Sequence, residues 1–268
     1  MTNAESGRRS CLKRLLSLTA VGAGSLVAFA RNAAASTGRS ELAKTDSSTN
    51  ANGNAKSLED RIMAMEALHD VQEVMSRYFH YHCANLHKQC WEELFAHNAP
   101  DVSVEIADWG RWEGPEHVKA LYCDFLGGGL GDPRGMMMVH SLDTPCIQVA
   151  GDGKTAKGVW FSPGNETAVD NGKAQAFWCW SYMAADFIKE GGAWKIWHYH
   201  VYAMFRTPFG KSWADVEGKK TSLAVAFPKG TEPNKPITFF NEYTPTSIRK
   251  LVPAPPKPYE TFDSSTSF

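Results

Sequence analysis

The sequence AQAFWCWSYMAADFIKEGGAWKIWHYHVYAMFR, residues 174–206, predicts the centre of the fold. It contains two long runs rich in aromatic and β-branched residues, 174–189 and 193–206, on either side of Gly191-Gly192. Such runs are typical of strands, and a glycine pair between them is typical of a hairpin turn. We therefore predict a long antiparallel hairpin.

Further strands precede this hairpin. We expect them near residues 136–149 and 154–161, joined by a turn at Gly151-Asp152-Gly153. An earlier strand is expected around residues 102–106, where valine and isoleucine alternate with polar residues. Residues 127–133 contain four glycines and a proline, a composition that excludes a regular helix or strand. They predict a mobile loop.

The helices come first in the chain. Apolar residues recur in steps of three and four over residues 58–82, which predicts one long helix with an apolar face. Similar but shorter patterns predict helices at about 88–96 and 115–126. Helices followed by a run of antiparallel strands predict an α+β fold, with a curved antiparallel sheet packed against the N-terminal helices.

Residues 1–35 have the order of a signal peptide. Arg8-Arg9 precedes an apolar run, Leu15–Ala30, which is followed by Ala33-Ala34-Ala35. The paired arginines favour the twin-arginine export route, with the general secretory route as the alternative. The apolar run is short for a stable membrane span. We therefore predict a protein exported to the periplasm, the cell envelope or the medium, with no membrane span after processing.

Composition sets the remaining boundaries. Residues 36–57 are mostly Ser, Thr, Asn, Ala and Gly and predict a flexible linker, so the folded domain is expected at 58–206. Residues 207–268 predict a proline-rich extension that wraps the domain or a neighbouring subunit.

A formal net charge of −1 gives no reason to expect a nucleic-acid partner. Five cysteines follow the leader at irregular spacings, which predicts at most one disulfide and no cysteine-based zinc site.

Several local motifs occur in a characteristic order over residues 58–206. They are the opening helix with Arg77-Tyr78-Phe79, then Trp91-Glu-Glu-Leu-Phe95, Trp112-Glu-Gly-Pro115, His140-Ser-Leu-Asp-Thr-Pro145 and Gly192-Ala-Trp-Lys-Ile-Trp-His198. Together they resemble the SnoaL-like family, whose fold is the cone shared with nuclear transport factor 2, scytalone dehydratase and the bile-acid 7α-dehydratase. The resemblance implies the same cone-shaped α+β fold here.

The resemblance also implies a chemistry. In the two dehydratases a histidine at the start of the first long strand is the general acid–base, assisted by a tyrosine on the first helix; His140 and Tyr78 stand at the matching positions. Histidine can accept and donate a proton near neutral pH, and a phenol can donate to a carbonyl that becomes enolate-like. Structural roles, a half-buried histidine and a core aromatic, remain open for both residues.

One family feature has no counterpart. Both dehydratases carry an aspartate a few residues after the helix tyrosine, whereas residues 80–87 here read HYHCANLH, without a carboxylate. Either Asn85 or a histidine such as His82 takes that part, or the chemistry differs.

The last strand supplies further candidates. Strict alternation places one set of residues on the same face: Trp194, Ile196, His198, His200, Tyr202 and Arg206. If that face lines the cone, we expect both histidines in the pocket, with the guanidinium of Arg206 as an open alternative. A structural role for His198 remains open.

Trp109 belongs to a group of tryptophans that are core residues by default, although large rings would suit a flat apolar ligand. The predicted substrate-binding set is therefore His82, Asn85, Trp109, His198 and His200.

These observations predict an exported enzyme without a cofactor, a dehydratase-type lyase or a related isomerase or cyclase, acting on an aromatic or polycyclic small molecule. A non-catalytic ligand-binding protein and a structural subunit are alternatives. A third is a metal enzyme in which His198 and His200, with His82 or His140, bind zinc, copper or iron. A homo-oligomer, dimer or trimer, is expected because aromatics on both faces of an open sheet need a cover.

Overall fold

The opening helix α1, Leu58–Cys83, matches the predicted one almost residue for residue. Its first turn is closed by a capping box, in which Ser57 Oγ accepts from the Asp60 amide and Asp60 accepts from the Ser57 amide. The structure is a computed structural model that describes residues 57–170, 172–215 and 225–268. The predicted signal peptide and all but Ser57 of the predicted linker lie outside the described residues.

Two further helical segments follow. α2, His87–Gln89, continues as a π-helical turn over Cys90–Leu94, and α3, Pro115–Lys119, continues as a π-helix over Ala120–Gly129. The expected loop at 127–133 therefore begins later than predicted. A Cβ on Gly127 would lie 2.8 Å from the Tyr122 carbonyl oxygen, so glycine permits the backbone approach of this wide helical turn.

Seven strands form one curved sheet. They are β1 (Ser103–Ile106), β2 (Gly110–Glu113), β3 (Met137–His140), β4 (Asp143–Val149), β5 (Thr155–Asp170), β6 (Lys173–Glu190) and β7 (Ala193–Pro208). Their order is β2-β1-β7-β6-β5-β3, and β4 also pairs with β5. The β6–β7 hairpin is present as predicted. The strand pairs are antiparallel as predicted except for one: β1 and β7, which lie far apart in sequence, pair in parallel.

Strand β5 is twice as long as the predicted 154–161 segment. The strand continues through Pro163 and Gly164, which both pair with β6. The proline lies where the outer neighbour of β5 changes, since Phe161 pairs with Asp143 of β4 and Gly164 pairs with His140 of β3. A missing backbone donor is tolerated at such a junction.

Two β-bulges in β7 decide which side chains face which side. Asp186 pairs with His198 but Phe187 pairs with Ile196, so Trp197 is an extra residue; Met204 is the extra residue of the second bulge. Each bulge reverses the alternation along the strand.

As a result, the residues of β7 divide between the two faces of the sheet. Tyr199, Val201, Ala203 and Arg206 face the concave side of the sheet, together with Ile196. His198 and His200 face the convex side, where their neighbours are Asp186 and Glu105.

The core fills the concave side. Helix α1 packs against it through Val71, Val74, Met75, Tyr78 and Phe79, which are all buried. The first turns of the helix leave Leu58, Ile62 and Met65 exposed.

The C-terminal segment 225–268 packs on its own domain. Lys235 pairs with Arg111 at the sheet edge, the backbone amide of Thr238 donates to Glu105, and the Ser267 hydroxyl donates to Asp186 on the convex face.

The five cysteines of the described chain, Cys83, Cys90, Cys123, Cys146 and Cys179, are free thiols. Among the described helices, none combines the length and apolar character needed to cross a bilayer.

Candidate active site

A cavity of about 230 Å³ lies between α1 and the concave face of the sheet. An apolar cavity of about 150 Å³ is large enough to bind benzene, so this one can hold an aromatic ring with substituents. Its apolar lining includes Phe79, Ile106, Trp109, Leu126, Leu130, Met136, Met138, Met183, Val201 and Val225.

A polar network occupies one part of the cavity wall. His140, the last residue of β3, places Nε2 3.2 Å from Glu166 Oε1 of β5. Arg206 of β7 donates from Nε to Glu166 Oε2 at 2.5 Å, and its guanidinium carbon lies 3.5 Å from the centre of the Phe177 ring. Three strands thus contribute one residue each to an ordered His–Glu–Arg network.

The bare backbone of Gly164 makes room for the imidazole. Gly164 pairs with His140 across β3 and β5, and a Cβ at this position would lie 2.4 Å from His140 Nδ1. Any side chain larger than hydrogen would therefore displace the ring. Glycine is required here by a close approach of side chain to backbone.

Glu166 is ionised in this network. Burial opposes its charge, but the hydrogen bond from His140 and the charge of Arg206 outweigh burial and lower the pKa of Glu166 to about 2. Because a carboxylate only accepts, His140 Nε2 carries the proton that it donates. In a neutral imidazole this leaves Nδ1 as the basic nitrogen, and Nδ1 is buried with no hydrogen-bond partner among the described residues.

Tyr78 also lines the cavity. Its hydroxyl lies 2.8 Å from that of Tyr122, and its ring centre lies 4.9 Å from that of Tyr199. Burial and then the neighbouring Tyr122 hold the pKa of Tyr78 well above 10. The group is thus a neutral phenol, which is able to donate a hydrogen bond.

His82 follows Tyr78 by one helical turn and borders the same cavity. Its ring centre lies 5.6 Å from that of His140 and stacks at 6.0 Å on Tyr78. On its other side, His82 Nδ1 lies 3.2 Å from Nε2 of the fully buried His87. The structure therefore brings four residues named from the sequence to one cavity: Tyr78, His82, Trp109 and His140.

Asn85, in contrast, does not line the cavity. It follows the C-terminal end of α1 with a left-handed backbone, φ 57°, and asparagine is one of the residues that adopt this conformation readily. Its placement suits a helix-ending role, and the expectation that it replaces the family aspartate in the pocket is corrected.

His198 and His200 are also outside the cavity, because the bulge at Trp197 turns them to the convex face. His198 Nδ1 lies 2.9 Å from Asp186, which also accepts from Lys157 Nζ at 2.9 Å. The expected placement of both histidines in the pocket is therefore wrong. The metal set that combines them with His82 or His140 is split between two sides of the sheet.

One cluster on the cavity wall has the donor types of a metal site. The ligand atoms of His140, Glu166 and Cys179 lie within 4.8 Å of one another. However, Arg206 already neutralises Glu166, and burial followed by Glu166 raises the pKa of the Cys179 thiol strongly. A protonated thiol and a carboxylate bound to a guanidinium are poor cation ligands, so the geometry fits an ion-pair network better.

Two residues of this site were not predicted from the sequence. Glu166 lay in the gap between two predicted strands, and His87 carried no role of its own. Arg206 was placed on the expected pocket face and does line the cavity, because the two bulges of β7 cancel each other before Arg206 is reached. The contact between His140 of β3 and Glu166 of β5 could have been predicted only with the correct length of β5.

A family model described as the SnoaL-like domain matches residues 63–200, slightly more than half of the chain. The chain belongs to the SnoaL-like family. The mixed α+β architecture with its unclosed curved sheet agrees with the cone fold of this family. No curated protein sequence gives a significant match.

Several solved structures are similar to this SnoaL-like chain. LinA has 12% identity, covering 61% of this chain and 99% of that one, with a TM-score of 0.45. A putative scytalone dehydratase from Novosphingobium aromaticivorans DSM 12444 has 14% identity, covering 59% and 98%, with a TM-score of 0.46. A nuclear transport factor 2-like protein from Salmonella enterica serovar Typhimurium LT2 has 20% identity, covering 55% and 98%, with a TM-score of 0.43.

Proposed function

We propose that the protein is a small-molecule enzyme that performs proton-transfer chemistry without a cofactor, as a dehydratase-type lyase or a related isomerase or cyclase. The observation that carries this proposal is the His140–Glu166–Arg206 network in the wall of an otherwise apolar cavity. His140 acts as the general acid–base, and Tyr78 donates a hydrogen bond to a substrate oxygen.

The proposed step balances without an oxidant or reductant. In this step the His140 ring turns Nδ1, which is otherwise buried against Gly164, towards the substrate, and Nδ1 takes a proton from carbon. The electrons of that C–H bond form the new C=C bond, and the C–O bond breaks. The departing hydroxide takes the proton back from the imidazolium and leaves as water. Glu166, 3.2 Å from Nε2, stabilises the intermediate imidazolium. In an isomerisation the same proton returns to a different carbon.

The cavity supports an aromatic substrate. Phe79 and Trp109 are among its walls, and its volume of about 230 Å³ suits one substituted ring better than a large polycyclic body. The substrate is expected to carry an acidic C–H bond, a leaving hydroxyl and a carbonyl, because the proposed step needs all three.

The test uses a panel of aromatic β-hydroxy ketones in D₂O, with turnover and deuterium incorporation measured by mass spectrometry. We expect the wild-type protein to turn over at least one compound and His140→Gln to reduce the rate roughly 100- to 10,000-fold. The matched control is His69→Gln, on the exposed face of α1, which should leave the rate unchanged. Binding of these compounds with neither turnover nor exchange would overturn the enzyme proposal and favour a non-catalytic binding protein.

We also propose that the protein is exported, on the strength of the arginine pair, apolar run and alanine triplet in residues 1–35. N-terminal sequencing of the exported form should give a start near Ser36. Replacing Arg8 and Arg9 with lysine should block twin-arginine export. Unchanged export of that variant would favour the general secretory route.

We further propose a homo-oligomer. The segment 225–268 covers part of the convex face, but Trp178, Trp180, Phe209 and Trp213 remain 40–65% exposed at its far end. Exposed aromatic patches of this kind mark association surfaces. Light scattering should therefore show a dimer or trimer, and a monomer across micromolar concentrations would remove this proposal.

A further inference from the structure

The turn after α1 brings two histidines into contact beside the cavity. Helix α1 ends at Cys83, and the left-handed Asn85 reverses the chain so that α2 starts at His87. This places His87 Nε2 3.2 Å from Nδ1 of His82, five residues earlier. The arrangement is local, and it depends on the turn rather than on the sheet.

The proton positions along this pair follow from the acceptor at its end. His87 Nδ1 lies 3.1 Å from the backbone carbonyl oxygen of Leu126. A carbonyl oxygen can only accept, so Nδ1 of His87 carries a proton. Burial lowers the pKa of His87 to about 4, so the ring is neutral at pH 7 and its Nε2 has none. Nδ1 of His82 must then carry the proton of the bond between the two rings.

The same reasoning leaves one nitrogen of His82 free of a proton. Burial, then His87 and His140, lower the pKa of His82 well below 6.5, so its ring is neutral as well. With the proton on Nδ1, the Nε2 atom is a hydrogen-bond acceptor. The two ring nitrogens point in divergent directions, and His82, unlike His87, lines the cavity. Nε2 is therefore presented on the cavity side.

We propose that His82 is an obligate hydrogen-bond acceptor that selects ligands carrying a hydroxyl group, and that His87 is the positioning residue that fixes its tautomer. This inference rests on the proposed small-molecule site but not on its being catalytic.

Selectivity follows from the chemistry of a fixed acceptor. A hydroxyl can donate to Nε2, whereas a methyl group of the same size leaves Nε2 buried without a partner. An ether oxygen is itself an acceptor and has no proton to donate to Nε2. The cavity volume of about 230 Å³ admits simple aromatic probes. Phenol and toluene have nearly the same shape and differ in this one group.

The first experiment reads the tautomer directly, without any substrate. Two-bond ¹⁵N–¹H correlation spectra of the full chain should show His82 with a protonated Nδ1 and a bare Nε2 at pH 7. His87→Leu removes the acceptor and should shift His82 towards the Nε2–H form. His87→Gln should restore the wild-type pattern, because its amide can donate to Leu126 and accept from His82. A wild-type His82 protonated on Nε2, or a pattern unchanged in His87→Leu, would overturn the proposal.

The second experiment measures selection. Phenol should bind roughly 10-fold or more tightly than toluene by NMR titration, corresponding to one hydrogen bond. His82→Phe and His87→Leu should remove this preference, whereas the exposed control His69→Phe should keep it. Equal binding of the two probes to the wild-type protein would refute the selection step. Since neither experiment measures turnover, a failure here and a failure of the His140 chemistry can be told apart.

Discussion

Two histidine pairs occupy opposite sides of one sheet. On the concave side, His82 and His140 border a cavity, and His140 is held by Glu166. On the convex side, His198 and His200 lie beside Asp186 and Glu105, beneath the C-terminal segment. Both pairs combine buried imidazoles with carboxylates. An imidazole beside a carboxylate therefore does not identify a functional site by itself, whereas the free volume beside His82 and His140 does.

The largest expected effect tests the convex side. Asp186 is fully buried between Lys157 and His198, so Asp186→Asn leaves the Lys157 ammonium without its counter-charge. The free energy of unfolding should fall by about 3–5 kcal/mol, measured by urea denaturation. Turnover per folded molecule should stay unchanged. A variant of normal stability that has lost turnover would show that the convex side takes part in the activity.

Glu166, on the concave side of the sheet, should make the free energy of unfolding depend on pH. The pKa of Glu166 falls from 4.5 to about 2 in the folded chain, so its ionised form stabilises the fold at all pH values above 4.5. That contribution, roughly 3 kcal/mol, is lost as the pH falls from 4.5 to 2. Unfolding measured across this range should be less pH-dependent in Glu166→Gln than in the wild type.

The control for this measurement is Glu66→Gln, which removes an exposed carboxylate from α1. It should reproduce the wild-type pH dependence. If Glu66→Gln and Glu166→Gln behaved alike, the ion pair with Arg206 would not be the source of the acid sensitivity.

A smaller effect is expected from the contact between His140 and the backbone. Gly164→Ala places a Cβ 2.4 Å from the unperturbed position of His140 Nδ1, so the imidazole must move. A shift of this size should lower turnover by roughly 10- to 100-fold. Gly210→Ala, where a Cβ meets no atom within 4 Å, should have no effect on rate. Equal rates for the two variants would show that the ring position does not matter.

The smallest effect concerns the attachment of the C-terminal segment. Thr238 donates to the buried Glu105 from its amide and its hydroxyl, and Thr238→Val removes the hydroxyl donor alone. Stability should fall by about 1–2 kcal/mol, with turnover unchanged. Thermal denaturation of Thr238→Val beside Thr238→Ser, which keeps the hydroxyl, separates the hydrogen bond from the lost methyl packing.

The sequence predicted the helices, the β6–β7 hairpin and the α+β class, because these depend on periodicity and turn residues that are visible locally. It also named His140, Tyr78 and His82 of the candidate site. The wrong assignments, His198 and His200, have one cause: a bulge adds a residue without any mark in the sequence, and every side chain beyond it changes face. Glu166 was missed because Pro163-Gly164 has the composition of a turn while it continues a strand.

The two bulges of β7 also govern how this strand can be compared with others. Deleting both Trp197 and Met204 would remove the two bulges and keep every other residue of β7 opposite its partner in β6. Tyr199, Val201 and Ala203 would stay on the cavity side, and His198 and His200 would stay on the convex side. An alignment with an unbulged strand that lacks a gap at each bulge equates cavity residues with residues of the convex face over the six positions 198–203. Substitution patterns along β7 are therefore interpretable only after the bulges themselves have been aligned.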